Sequence, residues 1–280
     1  MKRRLITGLL TAFGLSTAML SVEPLAYAQE IQLTGPLKGA PAVRRMRQYR
    51  EGRFELAPTA SFSLLDEYRR TILVGARLTY NIKDWIGIGA WGAFGAISST
   101  TDLTDQIQKE APRDARTAAN ITRGQFEDQT AKISYVAAPQ ITFVPFRGKL
   151  AIFQKIFVDA DFYVSPGVAF VGLQERTFCG DKGQKACSDA STFSLDSRTA
   201  IAPTFAVGLT FYTSDFISLG VEYRALPFSW NRAGFDQRGG GNNNKFPDNK
   251  VNEQDQTFKW NQMITIAIGL SFPTKPHISD

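Results

Sequence analysis

The chain has 280 residues, 43% hydrophobic and 21% charged, an ordinary composition for one large folded domain or two average ones. It carries 23 Gly, 21 Phe, 8 Tyr and 4 Trp but a single His and two Cys. With only His277, in a tail flanked by proline, a multi-histidine metal site is excluded, and so is a Ser-His-Asp triad unless that tail folds back. Cysteine-rich zinc motifs fail on the same count, and no catalytic, cofactor-binding or metal-binding set can be assembled.

Residues 1–28 read as a secretory signal: Lys2, Arg3 and Arg4 form the positive start, Leu5 to Leu20 the apolar stretch, and Ala26-Tyr27-Ala28 the cleavage site. The apolar stretch is short for a membrane anchor, which needs about 20 residues. Cleavage takes a net of two positive charges from the formal +6, leaving +4, which does not imply nucleic acid. An arm over residues 29–52 follows, and Lys38, Arg44, Arg45, Arg47, Arg50 and Arg53 against Glu51 make 38–53 strongly basic. Such a run suits contact with anionic lipid headgroups or an acidic partner, and equally a solvated segment.

From residue 53 to 272 the dominant pattern is period-two alternation. Ile72, Val74, Ala76, Leu78 and Tyr80 alternate with Leu73, Gly75, Arg77, Thr79 and Asn81. The same alternation places on one face Phe54/Leu56/Ala60/Phe62, Ile86/Ile88/Ala90/Phe94, Ile133/Tyr135/Ala137/Ile141/Phe143 and Phe162/Val164/Val168/Phe170. Ile201/Phe205/Val207/Leu209/Phe211, Ile217/Leu219/Val221/Tyr223 and Ile264/Ile266/Ile268/Leu270/Phe272 complete eight strands of roughly 10–14 residues, near the length that crosses a bilayer at a tilt. The second face is mostly Gly, Ala, Ser and Thr, which fits a narrow lumen and would solubilise an exterior poorly. Its charges, Glu55, Arg77, Asp161, Glu222 and Arg224, are of both signs and predict a paired polar network inside. Trp91 and Tyr163 on the same face argue further against an open pore.

The connections alternate in length. Short turns are expected at Asn81–Asp84, near Phe146–Lys149 and at Thr213–Asp215; long loops at Leu64–Arg70, Ile97–Thr130, Gln174–Ser197 and Asn231–Thr257. Within one loop, Asp102, Asp105 and Glu110 read as a helical turn with solvated charges. Cys179 and Cys187, C-x7-C in a polar stretch, suit a structural disulfide formed in an oxidising compartment. Interface aromatics are expected in two bands: Tyr80, Trp85, Phe143, Phe211, Tyr212 and Phe272 toward the turns, Tyr135, Tyr223, Trp230 and Trp260 toward the loops.

These observations predict an all-β fold: a closed, antiparallel, up-and-down transmembrane β-barrel of eight strands, with short periplasmic turns, longer extracellular loops and a short tail over 273–280. Two features resist it. Pro58, Pro139, Pro166 and Pro203 lie within the strands, where bulges would accommodate them and edge strands of a sandwich are the rival. Lys149–Asp159 reads as part of a long strand, an extra strand or a structured connection.

The stretch Ala42–Trp85 (VRRMRQYREGRFELAPTASFSLLDEYRRTILVGARLTYNIKDW after its leading alanine), with Thr101-Asp102-Leu103-Thr104, Gly269-Leu270-Ser271-Phe272 and the PTKP tail, resembles the myxobacterial-type outer-membrane β-barrel domain family. In size and architecture the chain also resembles small OmpA/OmpX-like barrels. The family resemblance implies outer-membrane residence, a non-enzymatic structural or scaffolding role, and for some members a trans-envelope assembly serving motility or spore-coat export beside a paralogous barrel. The partners it implies are outer-membrane lipids, the barrel-insertion machinery and other envelope proteins. The alternatives are a lipid-handling or enzymatic barrel and a narrow solute channel.

Overall fold

The computed structural model describes residues 49–111, 126–152, 156–238 and 246–275, all within the unit Arg44–Asp280. The expected signal, Lys38, Arg44, Arg45, Arg47 and His277 lie outside the described residues. Eight strands follow one another: β1 (Phe54–Leu64), β2 (Arg69–Lys83), β3 (Ile86–Thr100), β4 (Lys132–Ile152), β5 (Ile156–Arg176), β6 (Leu195–Tyr212), β7 (Ile217–Trp230) and β8 (Thr257–Phe272). Each pairs antiparallel with the next, and β1 pairs with β8 from Phe54↔Phe272 onward, closing an up-and-down barrel. Closure pairs the two edges that an open sheet would leave exposed.

Side chains obey the period-two pattern. Along β1, Phe54, Leu56 and Phe62 stay exposed while Ala57, Thr59 and Ser61 are buried in the lumen. In β8, Ile264, Ile266 and Ile268 face out and Thr265 and Ala267 face in. An apolar exterior over a polar and small-residue interior is the inverse of a water-soluble barrel, and it defines a wall made for hydrocarbon. The lumen's small residues answer its large ones: a methyl group at Gly208 would run into the Tyr163 ring directly opposite.

Several strands run longer than the 10–14 residues expected. β4 and β5 reach 21 residues each, because the alternation of Phe146 and Leu150 with Arg147 and Lys149 continues the sheet past the expected turn near Phe146–Lys149. The pairing reaches Ile152↔Ile156, so Lys149–Asp159 belongs to one long hairpin. The expected turn Asn81–Asp84 shrinks to residues 84–85, and Asn81 is a buried strand residue. The third turn, residues 213–216, lies where alternation placed it.

The prolines do not sit at bulges as expected. The β1–β8 pairing passes from Leu56↔Leu270 to Thr59↔Ala267 without changing register, and the β4–β5 pairing passes likewise from Ala137↔Phe170 to Gln140↔Gly167. Pro58 and Pro139 therefore leave a gap in one ladder while Pro58↔Ala76 and Ala90↔Pro139 keep the other. Pro166 and Pro203 keep their β5–β6 pairings as well. A proline does lie in the register shift between Phe143 and Phe146, and it is Pro145. Another shift, between Ile133 and Tyr135, turns Ile133 into the lumen, whereas strict alternation placed it on the exterior with Tyr135.

At the loop end, α1 (Asp102–Glu110) begins at the N-cap Thr101, with Asp102 and Asp105 in its first turn and Lys109 in its last. The short helix α2 (Phe126–Gln129) seats Phe126 between Phe235, stacked at 5.5 Å, and the edge of Tyr68 at 5.3 Å. The Cys179–Cys187 disulfide tightens its loop, and Cys179 exchanges backbone hydrogen bonds with Val251 of the last loop. Buried Arg176 donates to the carbonyls of Thr192, Cys187 and Gly234 and lies 4.0 Å over the Phe193 ring. The loops thus pack on one another.

Candidate functional site

Among the described residues, the lumen holds a dense arrangement of charge. Period-two register on β1, β2 and β7 aims Glu55, Arg77, Glu222 and Arg224 inward at neighbouring levels, since Ala57 pairs with Arg77 and Gly208 with Glu222. Arg77 bridges two carboxylates: Nη2 donates to Glu55 Oε1 at 3.0 Å and Nη1 to Glu222 Oε2 at 3.0 Å. The Tyr163 hydroxyl donates to the same Glu222 oxygen at 2.9 Å, with Arg77 5.0 Å from its ring centroid. On the other Glu222 oxygen, Arg224 donates from Nε at 3.0 Å and Nη2 at 2.8 Å. Arg224 also donates to Gln140 Oε1 and Thr204 Oγ1 and stacks 4.5 Å over Trp91, whose Nε1 donates to Thr59. All four charged groups are nearly completely buried.

Asp161 is separate from this cluster and belongs to the turn end. There it accepts from the Tyr212 hydroxyl at 3.0 Å and pairs with Arg50 Nη1 at 3.3 Å. The five charges predicted for the lumen comprise three carboxylates and two guanidiniums; Arg50 supplies the third cation. Predicted for lipid or partner contact, Arg50 instead lies buried inside the mouth, where Nη2 also donates to Asn81 Oδ1 at 3.1 Å. Arg53 is likewise buried: its guanidinium donates to the carbonyls of Tyr49, Asp215, Pro273 and Thr274, tying the start of β1 to the residues after β8. Neither arginine is available to a headgroup: Arg53 shares the inward parity of Glu55 and Ala57, and the turn at 51–52, closed by the Arg53 N–H on the Arg50 carbonyl, brings Arg50 into the mouth. The remaining predicted contacts, Lys38, Arg44, Arg45 and Arg47, lie outside the described residues.

The arm is pinned at the rim by Asp84, whose Oδ1 accepts from the backbone N–H groups of Arg50 and Glu51 at 2.8 and 3.0 Å while Oδ2 pairs with Arg147 at 3.0 Å. Burial pushes the Asp84 carboxyl upward, but the Arg50 N–H, the Arg147 guanidinium and the Glu51 N–H outweigh it and hold it below the usual carboxylate value.

Above the charged layer an apolar plug fills the lumen toward the loop end, with Leu73, Val136, Val171, Leu173, Leu226, Phe228, Trp230 and Met263 in one cluster. Two aromatics predicted for the interface belong inside. Tyr212 follows Gly208 and Thr210 on the inward face, and Trp230 follows Arg224, Leu226 and Phe228, with its Nε1 donating to Asn261 at 3.1 Å. Alternation already carried this signal, since the exterior residues of β6 and β7 are odd-numbered and these two are even. The other interface aromatics keep to the exterior: Tyr80, Trp85, Phe143, Phe211 and Phe272 toward the turns, Tyr135, Tyr223 and Trp260 toward the loops. Trp85 is 54% and Trp260 56% exposed, against 1% for Trp91 and 3% for Trp230.

Among the described residues no group of three His, Cys, Asp or Glu is arranged to hold a metal ion, and no helix is long and apolar enough to cross a membrane. A closed eight-stranded barrel with an apolar wall and a paired, filled lumen defines the class of a small transmembrane β-barrel. The chain is similar to the N-terminal β-barrel domain of Pseudomonas aeruginosa OprF, with 9% identity, a TM-score of 0.40, and coverage of 79% of this chain and 98% of that one. It is also similar to Neisserial surface protein A, with 11% identity, TM-score 0.35, and 78% and 93% coverage. The Ail protein of Yersinia pestis is a third, with 11% identity, TM-score 0.32, and 79% and 99% coverage. No family model matches the chain, and no curated protein matches it.

Proposed function

We propose that the protein is a non-enzymatic integral outer-membrane barrel with an anchoring or scaffolding role, its turns in the periplasm and its folded loops outside. The observation that carries this is the lumen: three buried carboxylates paired with three guanidiniums below an apolar plug leave nothing for a solute to follow. The exterior then meets outer-membrane lipid, and the insertion machinery reads the β8 strand internally, since residues follow Phe272. Residues 1–28 act as the cleaved signal, 29–52 as the periplasmic arm, and 53–272 as the barrel. The resemblance of Ala42–Trp85 to the myxobacterial-type barrel domain supports a place in a trans-envelope assembly for motility or surface export, beside other envelope proteins.

Cell fractionation with heat-modifiability on a gel tests the reading. The protein is expected in the outer-membrane fraction, with different mobility before and after boiling. Recovery in the soluble periplasm without a shift overturns it.

A further inference from the structure

The outer wall of the barrel carries a groove of about 830 Å³ that crosses the strands from Phe54 on β1 to Val168 on β5. Four inter-strand steps of ~4.8 Å make it roughly 19 Å long. Small residues, Gly89, Ala90 and Gly167, lie between larger ones such as Leu78 and Ile88, and no charged side chain lines it. Its β4 section, Pro139 to Ile141, falls between Tyr135 of the loop-side aromatic band and Phe143 of the turn-side band, at the level of hydrocarbon.

Within this groove the β4–β5 ladder is broken twice. Pairing keeps a single register through Ala137↔Phe170, Gln140↔Gly167 and Phe143↔Val164, yet skips the positions where Pro139 would meet Val168 and Ile141 would meet Pro166. Both prolines keep their other neighbours, through Ala90↔Pro139 and Pro166↔Phe205, so the N–H groups they lack belong to the β4–β5 seam. Gln140↔Gly167 survives because the bonds flanking it use the proline carbonyls. Each missing N–H leaves a carbonyl without its ladder donor: that of Val168 opposite Pro139 and that of Ile141 opposite Pro166. Val168 and Ile141 both line the groove, and among the described residues no side chain donates to either carbonyl. In hydrocarbon such a carbonyl is costly, because lipid tails offer it no N–H or O–H.

We propose that the groove holds one membrane lipid by an acyl chain that carries a hydroxyl, the O–H donating to the Ile141 or the Val168 carbonyl and the tail filling the apolar trough. Tyr80, of the turn-side band, lines the groove on β2, about 12 Å or two and a half strand spacings from the seam, so the hydroxyl sits well down the chain and not beside the headgroup. The proposal rests on the outer-membrane reading above. A second copy cannot take this place: among the described residues, the exterior side chains between the two bands, from Leu56 to Phe62 on β1 round to Ile264 to Leu270 on β8, carry no N–H or O–H.

Native mass spectrometry of the full mature chain, released from detergent micelles, tests this with two phosphatidylethanolamines that differ only in a 12-hydroxystearoyl or a stearoyl chain. One hydroxylated lipid per protein is expected, with the stearoyl lipid held about tenfold more weakly. A 2-hydroxystearoyl lipid, whose hydroxyl stays by the headgroup, should behave like the stearoyl one. Pro139→Ala with Pro166→Ala restores both ladder donors and is expected to cut the preference below about twofold, and Ala90→Trp, which fills the trough, to abolish retention. Equal retention of the stearoyl and 12-hydroxystearoyl lipids, or a preference that survives the two proline substitutions, overturns the proposal, and the first comparison needs only the unsubstituted protein. A doubled protein mass without lipid assigns the groove to a second copy and overturns it as well. The gel shift on the same sample decides the barrel reading separately.

Discussion

Replacing Arg77 with methionine removes the cation that joins two buried carboxylates while leaving most of its volume in place. Glu222 keeps Arg224 at 2.8 Å, but Glu55 loses the one ion pair found for it among the described residues. The cost is therefore that of an orphaned buried carboxylate, about 3–5 kcal/mol when one partner of a buried pair is removed. Urea unfolding in detergent, followed by tryptophan fluorescence and by gel mobility, reads it as a shift in midpoint at unchanged slope. Adding Glu55→Gln removes the orphan, and the double variant should recover roughly 1–3 kcal/mol relative to the sum of the single changes. An Arg77→Met protein within about 0.5 kcal/mol of the unsubstituted chain, or strict additivity in the double variant, refutes the view of this lumen as a coupled network.

Asp84 is held below the ordinary carboxylate value, so its ionised form stabilises the arm fully above its unfolded value near ~3.9 and loses that contribution as pH falls through the folded value. Hydrogen exchange at Arg50 and Glu51 should rise over that acid window and, at neutral pH, in Asp84→Asn, by about 1 kcal/mol after solvent screening of this partly exposed group; exchange unchanged in Asp84→Asn contradicts the pin. In planar bilayers the purified protein should give no steady open-state current of porin size, and such a current would sink the filled-lumen reading.

The barrel itself was legible because its wall alternates so regularly: Ile264 to Phe272 alone separates an apolar exterior from a small-residue interior. The same parity assigned Glu55, Arg77, Glu222 and Arg224 to the lumen. At Tyr212 and Trp230 parity and residue type conflict, an aromatic near a strand end pointing to the interface and an even number pointing to the lumen, and parity prevails. Ile133 is different, since a register shift changes face and leaves no mark in local composition. Arg50 was hidden by its neighbours: within a basic run it looked like surface, although an excess of one carboxylate among the predicted lumen charges called for another cation. The length of β4 and β5 was ambiguous because a continuing period-two pattern fits both a longer hairpin and a new strand. The packing of the loops depends on pairs such as Phe126 with Phe235 and Cys179 with Val251, too far apart in sequence for any local pattern to reveal.

The barrel's wall faces lipid and its interior does not. Four single-tryptophan proteins, each retaining one of Trp85, Trp91, Trp230 and Trp260 with the others changed to phenylalanine, test this in vesicles containing brominated lipid. Trp85 and Trp260 should be strongly quenched, while Trp91 and Trp230, enclosed by the lumen, should keep nearly all their fluorescence. Equal quenching of all four, or protection of Trp85 and Trp260, would contradict the barrel's orientation toward the membrane.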